Sequence, residues 1–384
     1  MPLGNYRSPW MNEDLDALRE LARNFFAKES VPNQEKWAAQ HYVDREFWLE
    51  AGRLGLLCIS VPTVYGGGGG TFAHEAVVSE EQAMATDDAF GYTVHSTIVA
   101  HYILAYGTEE QKKRWLPKLA TGEMVGVIAM TEPNAGSDLQ SITTAARRDG
   151  DQYVINGAKT FISNGTNGEL LVIAVRTGQE KGARGISLIV AETQGLEGFA
   201  RGRVLEKVGQ RGQDTRELFF SDMRVPVTNL LGGVEGRGFY QLMDQLPQER
   251  LALATTAVAA AEHAVEITVE YAKERRAFGK TLLDLQNTRF VLAECKTDTL
   301  AARTLLDHCI SLHLEGKLDA ATASMAKYWC TDNQVSVIDR CVQVFGGYGY
   351  MLEYPIARMY AGARVQRIYG GANEIMKELI ARSL

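Results

Sequence analysis

Val125-Gly-Val-Ile-Ala-Met130 is the stretch at which the chain changes texture. Before it, apolar residues recur three and four apart. From it onward they fall in short runs or alternate, the pattern of strands. Tyr153-Val-Ile-Asn156, Thr160-Phe-Ile-Ser163, Leu170-Leu-Val-Ile-Ala-Val175 and Gly185-Ile-Ser-Leu-Ile-Val190 repeat that pattern. Asp149-Gly150 and Asn156-Gly157 lie between them as hairpin signals. The strands are expected to end around Leu218-Phe-Phe-Ser-Asp222, so the middle of the chain reads as a small barrel or sandwich.

Upstream, Leu15, Leu18, Leu21, Phe25 and Phe26 follow helical spacing after Asn12, a candidate N-cap. Residues 47–57, 72–84 and 92–106 read as further helices. The run Gly66 to Gly70 is tempting as a phosphate loop. It lacks the Gly-Lys-Ser/Thr ending and follows no clear strand, so it reads as a flexible surface turn. Downstream, residues 241–273, 283–314 and 318–344 carry long helical patterns with short links, which suggests a bundle. The order is α, then β, then α, divided as residues 1–124, 125–233 and 234–384.

The 384 residues suit two or three domains at about 150 residues each. Net charge is −7 and no basic stripe is present, so nucleic acid is not an expected partner. Arg147-Arg148 and Arg275-Arg276 are short and read as solvated turns or helix ends. The five cysteines form no CxxC pair and read as buried free thiols, with no metal site expected. The uncharged stretch from Leu251 to Ala261 is too short to cross a bilayer. The N-terminus shows no apolar signal core. A soluble protein of a bacterial cytoplasm, or of a mitochondrial matrix if eukaryotic and processed, is expected.

Five segments could carry chemistry. Ile128-Ala-Met-Thr-Glu-Pro-Asn-Ala-Gly-Ser-Asp138 ends a strand in a loop of small residues, which suits an anion or a planar ring as well as a plain turn. In Gly157-Ala-Lys-Thr-Phe-Ile-Ser-Asn164, Phe161 and Ser163 would share one strand face. Glu274-Arg-Arg-Ala-Phe-Gly-Lys280 sets a basic turn between long helices, where an arginine can hold a phosphate. Gln343-Val-Phe-Gly-Gly-Tyr-Gly-Tyr350 and Arg367-Ile-Tyr-Gly-Gly-Ala-Asn-Glu-Ile375 bring glycine pairs to the edge of the bundle. Each of these is ordinary alone.

Together, in this order and spacing, the segments resemble the acyl-CoA dehydrogenase family over nearly the whole chain, and the long-chain type most. The resemblance implies an N-terminal helical domain, a middle β domain and a C-terminal four-helix bundle, with FAD between the last two. It implies that Ile128, Met130, Thr131, Gly136 and Ser137 line the flavin and that Phe161, Ile162 and Ser163 cover its other side, Ser163 near N5. Arg275, Phe278 and Gln286 would reach a neighbouring subunit's FAD. Gln343, Gly346 and Gly347, with Ala372, Asn373 and Glu374, would serve its nucleotide side. Ala372 departs from a threonine common there. Ser137, Tyr240, Arg250, Gly370 and Gly371 would contact an acyl-CoA substrate. A homotetramer and an electron-transfer flavoprotein as electron acceptor are also implied.

Dehydrogenation needs a base, because the α C–H of a thioester is a weak acid. Many family members carry a glutamate where this chain has Gly370. Leu246-Pro-Gln-Glu-Arg-Leu251 resembles the long-chain and isovaleryl branch, whose glutamate stands on a bundle helix. Glu249 is therefore the expected base, and apolar surroundings would raise its pKa. Gly370 is expected to leave space that Glu249 enters, with room for a long or branched chain. The rival expectations are an acyl-CoA oxidase or flavin monooxygenase on the same scaffold, and a nucleic-acid-binding relative.

Overall fold

A computed structural model of the chain describes residues 6–178, 180 and 182–384. Six helices come first: α1 (Glu13–Phe25), α2 (Gln34–Gln40), α3 (Arg45–Arg53), α4 (Phe72–Met84), α5 (Ala100–Tyr106) and α6 (Glu109–Ala120). Asn12 caps α1 as expected, its side chain accepting from Leu15 N at 2.9 Å. The helix read over residues 92–106 is not uniform, since a π-helical stretch, Thr93–Val99, runs into α5. Such wide turns recur at functional sites. The glycine run lies on the surface but is tied down, with Gly69 N–H bonded to Val61 O and Gly70 N–H to Ile59 O.

The middle layer is one curled seven-stranded sheet: β1 (Val125–Ala129), β2 (Ala145–Asp149), β3 (Gln152–Ser163), β4 (Gly168–Arg176), β5 (Ile186–Glu192), β6 (Phe199–Val204) and β7 (Thr215–Pro226). β4 pairs along its length with β1 in parallel and with β5 antiparallel. At Arg176 it meets Ala145 of β2, beyond which the sheet runs on through β3 and β7 to β6. Asp149-Gly150 makes the expected β2–β3 hairpin. Asn156-Gly157 does not make a turn. It is a bulge inside β3, where the ladder to β7 slips between Ile155 and Gly157, and Gly157 sits at φ +149° hard against Thr144. The last strand also outruns the expected end near Asp222, because it stays paired with β3 as far as Pro226.

The C-terminal helices are α7 (Gly238–Glu274), α8 (Gln286–Leu314), α9 (Ala320–Phe345), α10 (Pro355–Ala363) and α11 (Asn373–Ala381). The small hairpin β8 (Arg276–Ala277) and β9 (Lys280–Thr281) joins α7 to α8. Both nine-residue helices pack on α9. α4 lies on α7 and holds the N-terminal helices to the bundle. Across that junction Arg303 is buried among Glu80, Glu262 and Asp307, so a charge costly to bury is matched by carboxylates on two domains. All five cysteines are buried and unbridged.

Candidate active site

Glu249 stands on α7 just after Pro247 and is only 4% exposed. Its carboxylate accepts from the hydroxyl of Tyr102, on α5, at 2.7 Å. Burial drives its pKa up to about 7, against the smaller opposing pulls of the Tyr102 hydrogen bond and the Arg250 charge. The neighbouring side chains fix the helix around it. Gln248 donates to Thr97 O in the π-helical stretch at 2.9 Å, and its carbonyl oxygen lies 3.2 Å from His313 Nε2. Arg250 is buried with Nη1 3.3 Å from Ser324 Oγ, while its buried Nε has no protein partner among the described residues. No sequence motif pointed to Tyr102, which lies 147 residues before its partner.

Gly370 is left-handed at φ +64°, a conformation that favours glycine. A Cβ there would come within 2.2 Å of Leu253 Cδ1, one turn beyond Glu249 on α7. The space beside Gly370 is thus filled by Leu253, not by Glu249 as the sequence suggested. Gly371 O and Asn373 Oδ1 both accept from the buried Lys327 of α9, at 2.7 and 2.8 Å. Asn373 also donates to Tyr328 O, Thr331 Oγ1 and Asp332 Oδ1. Its side chain is therefore committed to anchoring this loop, and only its backbone remains for a ligand.

The loop after β1 is clasped from below. Glu132 accepts from Thr143 N, Thr143 Oγ1, Thr144 N and Lys159 Nζ, and Lys159 also donates to Met130 O at 2.9 Å. Burial alone would raise the Glu132 carboxyl. The bonds from Lys159 and Thr144 overcome this and hold it at about 2. Burial lowers Lys159 to about 8, so the pair is ionised at neutral pH. Thr160 N–H bonds Thr131 O at 2.9 Å, which sets residues 128–131 beside residues 160–163. Ile128, Met130 and Thr131 are half-buried; Gly136 and Ser137 are exposed. Ile162 is buried, whereas Phe161 is thrust out at φ +59° with 67% exposure and Ser163 is half-exposed. A phenylalanine held left-handed and turned outward is strain of the kind that marks a ligand wall.

The helix bearing Tyr102 also reaches this wall. His95 Nδ1 accepts from Gly126 N at 2.9 Å, and its Nε2 lies 3.0 Å from Leu119 O. Burial lowers its pKa to about 4, so the ring is neutral and holds β1 in place. One helical segment therefore touches both β1, which leads into Met130, and the carboxylate of Glu249.

The remaining residues expected at the cofactor lie elsewhere. Arg275 stacks over Tyr348 at 5.6 Å, which puts the β8–β9 hairpin beside Gln343, Gly346 and Gly347. Phe278 forms the hairpin tip at φ +53° and is 93% exposed; Gln286 is exposed at the start of α8. Arg275 lies about 39 Å from Glu249 along the axis of α7. Gln343–Gly347 and Ala372–Glu374, expected together on one nucleotide, sit about 17 to 24 Å apart along α9, measured from Gln343 to the α9 residues that bond Asn373.

Tyr240 is 45% exposed under the guanidinium of Arg237 and lines two adjoining cavities. One, of about 790 Å³, is walled by Tyr106, Leu231, Gln241 and Asp244. The other, of about 520 Å³, is walled by Thr177, Arg184, Glu235 and Arg237. The family resemblance implied a substrate contact for Tyr240 but for neither arginine.

The helical, β and helical layers thus hold a buried carboxylate of raised pKa on α7 and an exposed, left-handed phenylalanine on β3. The acyl-CoA dehydrogenase N-terminal, middle and C-terminal domain models match residues 12–123, 127–223 and 236–384. Long-chain specific acyl-CoA dehydrogenase of Sus scrofa is 48% identical over 370 residues, covering 96% of this chain and 86% of the relative. The crystal structure of an acyl-CoA dehydrogenase from Geobacillus kaustophilus superposes with a TM-score of 0.95 at 46% identity, covering 98% of this chain and 99% of that one. A glutaryl-CoA dehydrogenase from Mycobacterium smegmatis in complex with FADH2 superposes with a TM-score of 0.91 at 26% identity, covering 97% and 95%. The chain belongs to the acyl-CoA dehydrogenase family, a family of flavoprotein oxidoreductases.

Proposed function

We propose that the chain catalyses FAD-dependent α,β-dehydrogenation of a long-chain or branched acyl-CoA, with Glu249 as the base. The observation that carries this is the carboxyl itself: buried on the bundle helix and raised to a pKa of about 7, so that near neutral pH about half of it is ready to take a proton. The α proton passes to Glu249 and the β hydrogen leaves with its electron pair, giving the trans-2-enoyl thioester. FAD, when bound, accepts that hydride. The left-handed Gly370 offers a backbone N–H to the thioester carbonyl, whose oxygen gains charge as the proton leaves. Arg250, with a buried Nε that has no partner among the described residues, and Gly371 would contact the substrate here.

The residues present fit the cofactor. Phe161 and Ser163 face outward from β3 next to Thr131, and no protein atom would meet a Cβ at Gly136. The Arg275–Phe278 hairpin, Gln286 and Gln343–Gly347 lie too far from Glu249 to serve the same flavin, and an exposed strained Phe278 needs cover. Both observations favour an oligomer in which these residues complete a neighbour's FAD site, and the family resemblance makes it a homotetramer. Ala372 and Glu374 then serve the chain's own cofactor. Tyr240 and Ser137 line the way out for the CoA moiety. Support for a long-chain substrate comes from the 48% identical relative and not from space at Gly370.

Electrons pass to an electron-transfer flavoprotein, and the setting is a bacterial cytoplasm or a mitochondrial matrix. Among the described residues no helix is long and apolar enough to cross a membrane. Glu249→Gln tests the reading with a panel of acyl-CoAs and an artificial electron acceptor. The variant should fold, hold FAD and lose about two to four orders of magnitude in rate. Turnover near wild type would remove Glu249 from the role.

A further inference from the structure

Tyr102 has no place in the chemistry described so far, yet its setting is unusual. Its ring is fully buried in the core beneath β1 and β4, and its centroid lies 6.4 Å from that of Tyr106. A buried phenol needs only one acceptor, and any carbonyl of a neighbouring helix would serve. Here the hydroxyl crosses from α5 to α7 and donates to the one carboxylate that matters, at 2.7 Å. Among the described residues no other hydrogen bond reaches the Glu249 carboxyl. The bond occupies Oε1 and leaves Oε2 without a partner on the protein. The segment that carries Tyr102 is braced on both sides. Its π-helical part is pinned to β1 through His95 and to α7 through Gln248.

We propose that Tyr102 is a positioning residue for dehydrogenation, its hydroxyl donating to one oxygen of Glu249 so as to keep the carboxyl in its ionised, proton-accepting form with the other oxygen free for the α carbon of the thioester. This rests on Glu249 being the base. A satisfied core tyrosine with no effect on the reaction is the alternative, and the two differ in pH behaviour. A donor to the ionised carboxylate favours that form and offsets part of the burial that disfavours it. Tyr102 itself is held protonated, because burial and the adjacent Glu249 charge both raise its pKa, so it donates throughout the working range.

The other groups around the carboxyl do not mimic this. Arg250 follows it on α7, and Lys327 of α9 lies beyond Arg250. Tyr106 bonds Asp244 one turn away. On α5 and α8, His101 and His313 are both pushed down by burial, His313 to about 4, so they stay neutral where Glu249 titrates.

The test is kcat against pH for the holoenzyme carrying Tyr102→Phe, with an artificial electron acceptor. Flavin content and KM should stay within about twofold. The acidic limb should rise by about one to two pH units, the worth of a hydrogen bond to a charged group. Activity at pH 7 should then fall roughly 5- to 50-fold and recover on the alkaline side of the shifted limb. A limb that coincides with wild type overturns the proposal, as does an equal loss at every pH. If the phenylalanine variant fails to hold flavin, 3-fluorotyrosine at position 102 keeps the ring and strengthens the donor, and the limb should move down; an unmoved limb again overturns it. Glu249→Gln separates the two claims. Near-normal turnover there sinks the base, whereas an inactive Glu249→Gln with an unmoved Tyr102→Phe limb sinks only the positioning role.

Discussion

Lys159→Met should loosen the flavin wall while leaving the rest of the protein folded. Lys159 is buried and makes two bonds, to Glu132 at 2.8 Å and to Met130 O at 2.9 Å. Methionine fills a similar volume but supplies no charge, leaving a buried carboxylate without its counter-ion. Removing one partner of a buried pair costs about 3–5 kcal/mol. Three donors from Thr143 and Thr144 still reach Glu132, so the lower end, about 3 kcal/mol, is expected. The bond to Met130 O is lost too, and with it the hold on the strand end that carries Met130 and Thr131. The assay pairs urea unfolding with visible flavin absorbance after gel filtration. A second variant, Lys159→Met with Glu132→Gln, removes the stranded charge and should recover more than half of the stability. If Lys159→Met keeps both wild-type stability and wild-type flavin content, the clasp has no part in shaping the wall.

Three further outcomes rest on the geometry. Glu249 has a raised folded pKa, so the folded state binds more protons than the unfolded state between about pH 4.5 and 7, and stability is lost as pH rises through that window. Glu249→Gln should therefore be more stable than wild type at pH 8, by up to about 3 kcal/mol, with the gap closing toward pH 5 in thermal melts. Phe278→Asp should weaken both the oligomer and FAD retention by sedimentation and absorbance; an intact flavin-loaded oligomer would refute the shared site. Moving the base by Glu249→Gly with Gly370→Glu should restore little by itself, because Leu253 blocks the new side chain; adding Leu253→Ala should raise turnover at least tenfold over the double variant.

Much of this architecture was written in periodicity. The break at Val125, the three long helices and the Asn12 cap follow from local spacing. Local signals failed where tertiary pairing overrode them. Asn156-Gly157 has the composition of a hairpin turn, yet the partner β7 continues past it and converts the glycine into a bulge. The site divides the same way. Glu249 was legible because Gly370 stands where a glutamate is usual. Tyr102 and the Glu132–Lys159 clasp were not, because each joins segments separated in sequence through side-chain bonds that leave no pattern in either. The quoted motifs contain Glu132 and Lys159 side by side with residues assigned to the flavin, but which of them face inward depends on the bulge. The separation of Gln343–Gly347 from Ala372–Glu374 is set by the length of α9 and by where Asn373 docks along it, which no local pattern encodes.

The central claim is that Glu249 takes the α proton, and that step can be watched without the hydride step. An acyl-CoA whose β carbon is replaced by sulfur has no hydride to give, so in D2O the holoenzyme can only exchange its α hydrogens, and NMR follows their loss. Steady exchange is expected with wild type, and exchange at least a hundredfold slower with flavin-loaded Glu249→Gln. Equal exchange rates in the two proteins would contradict the assignment of the base.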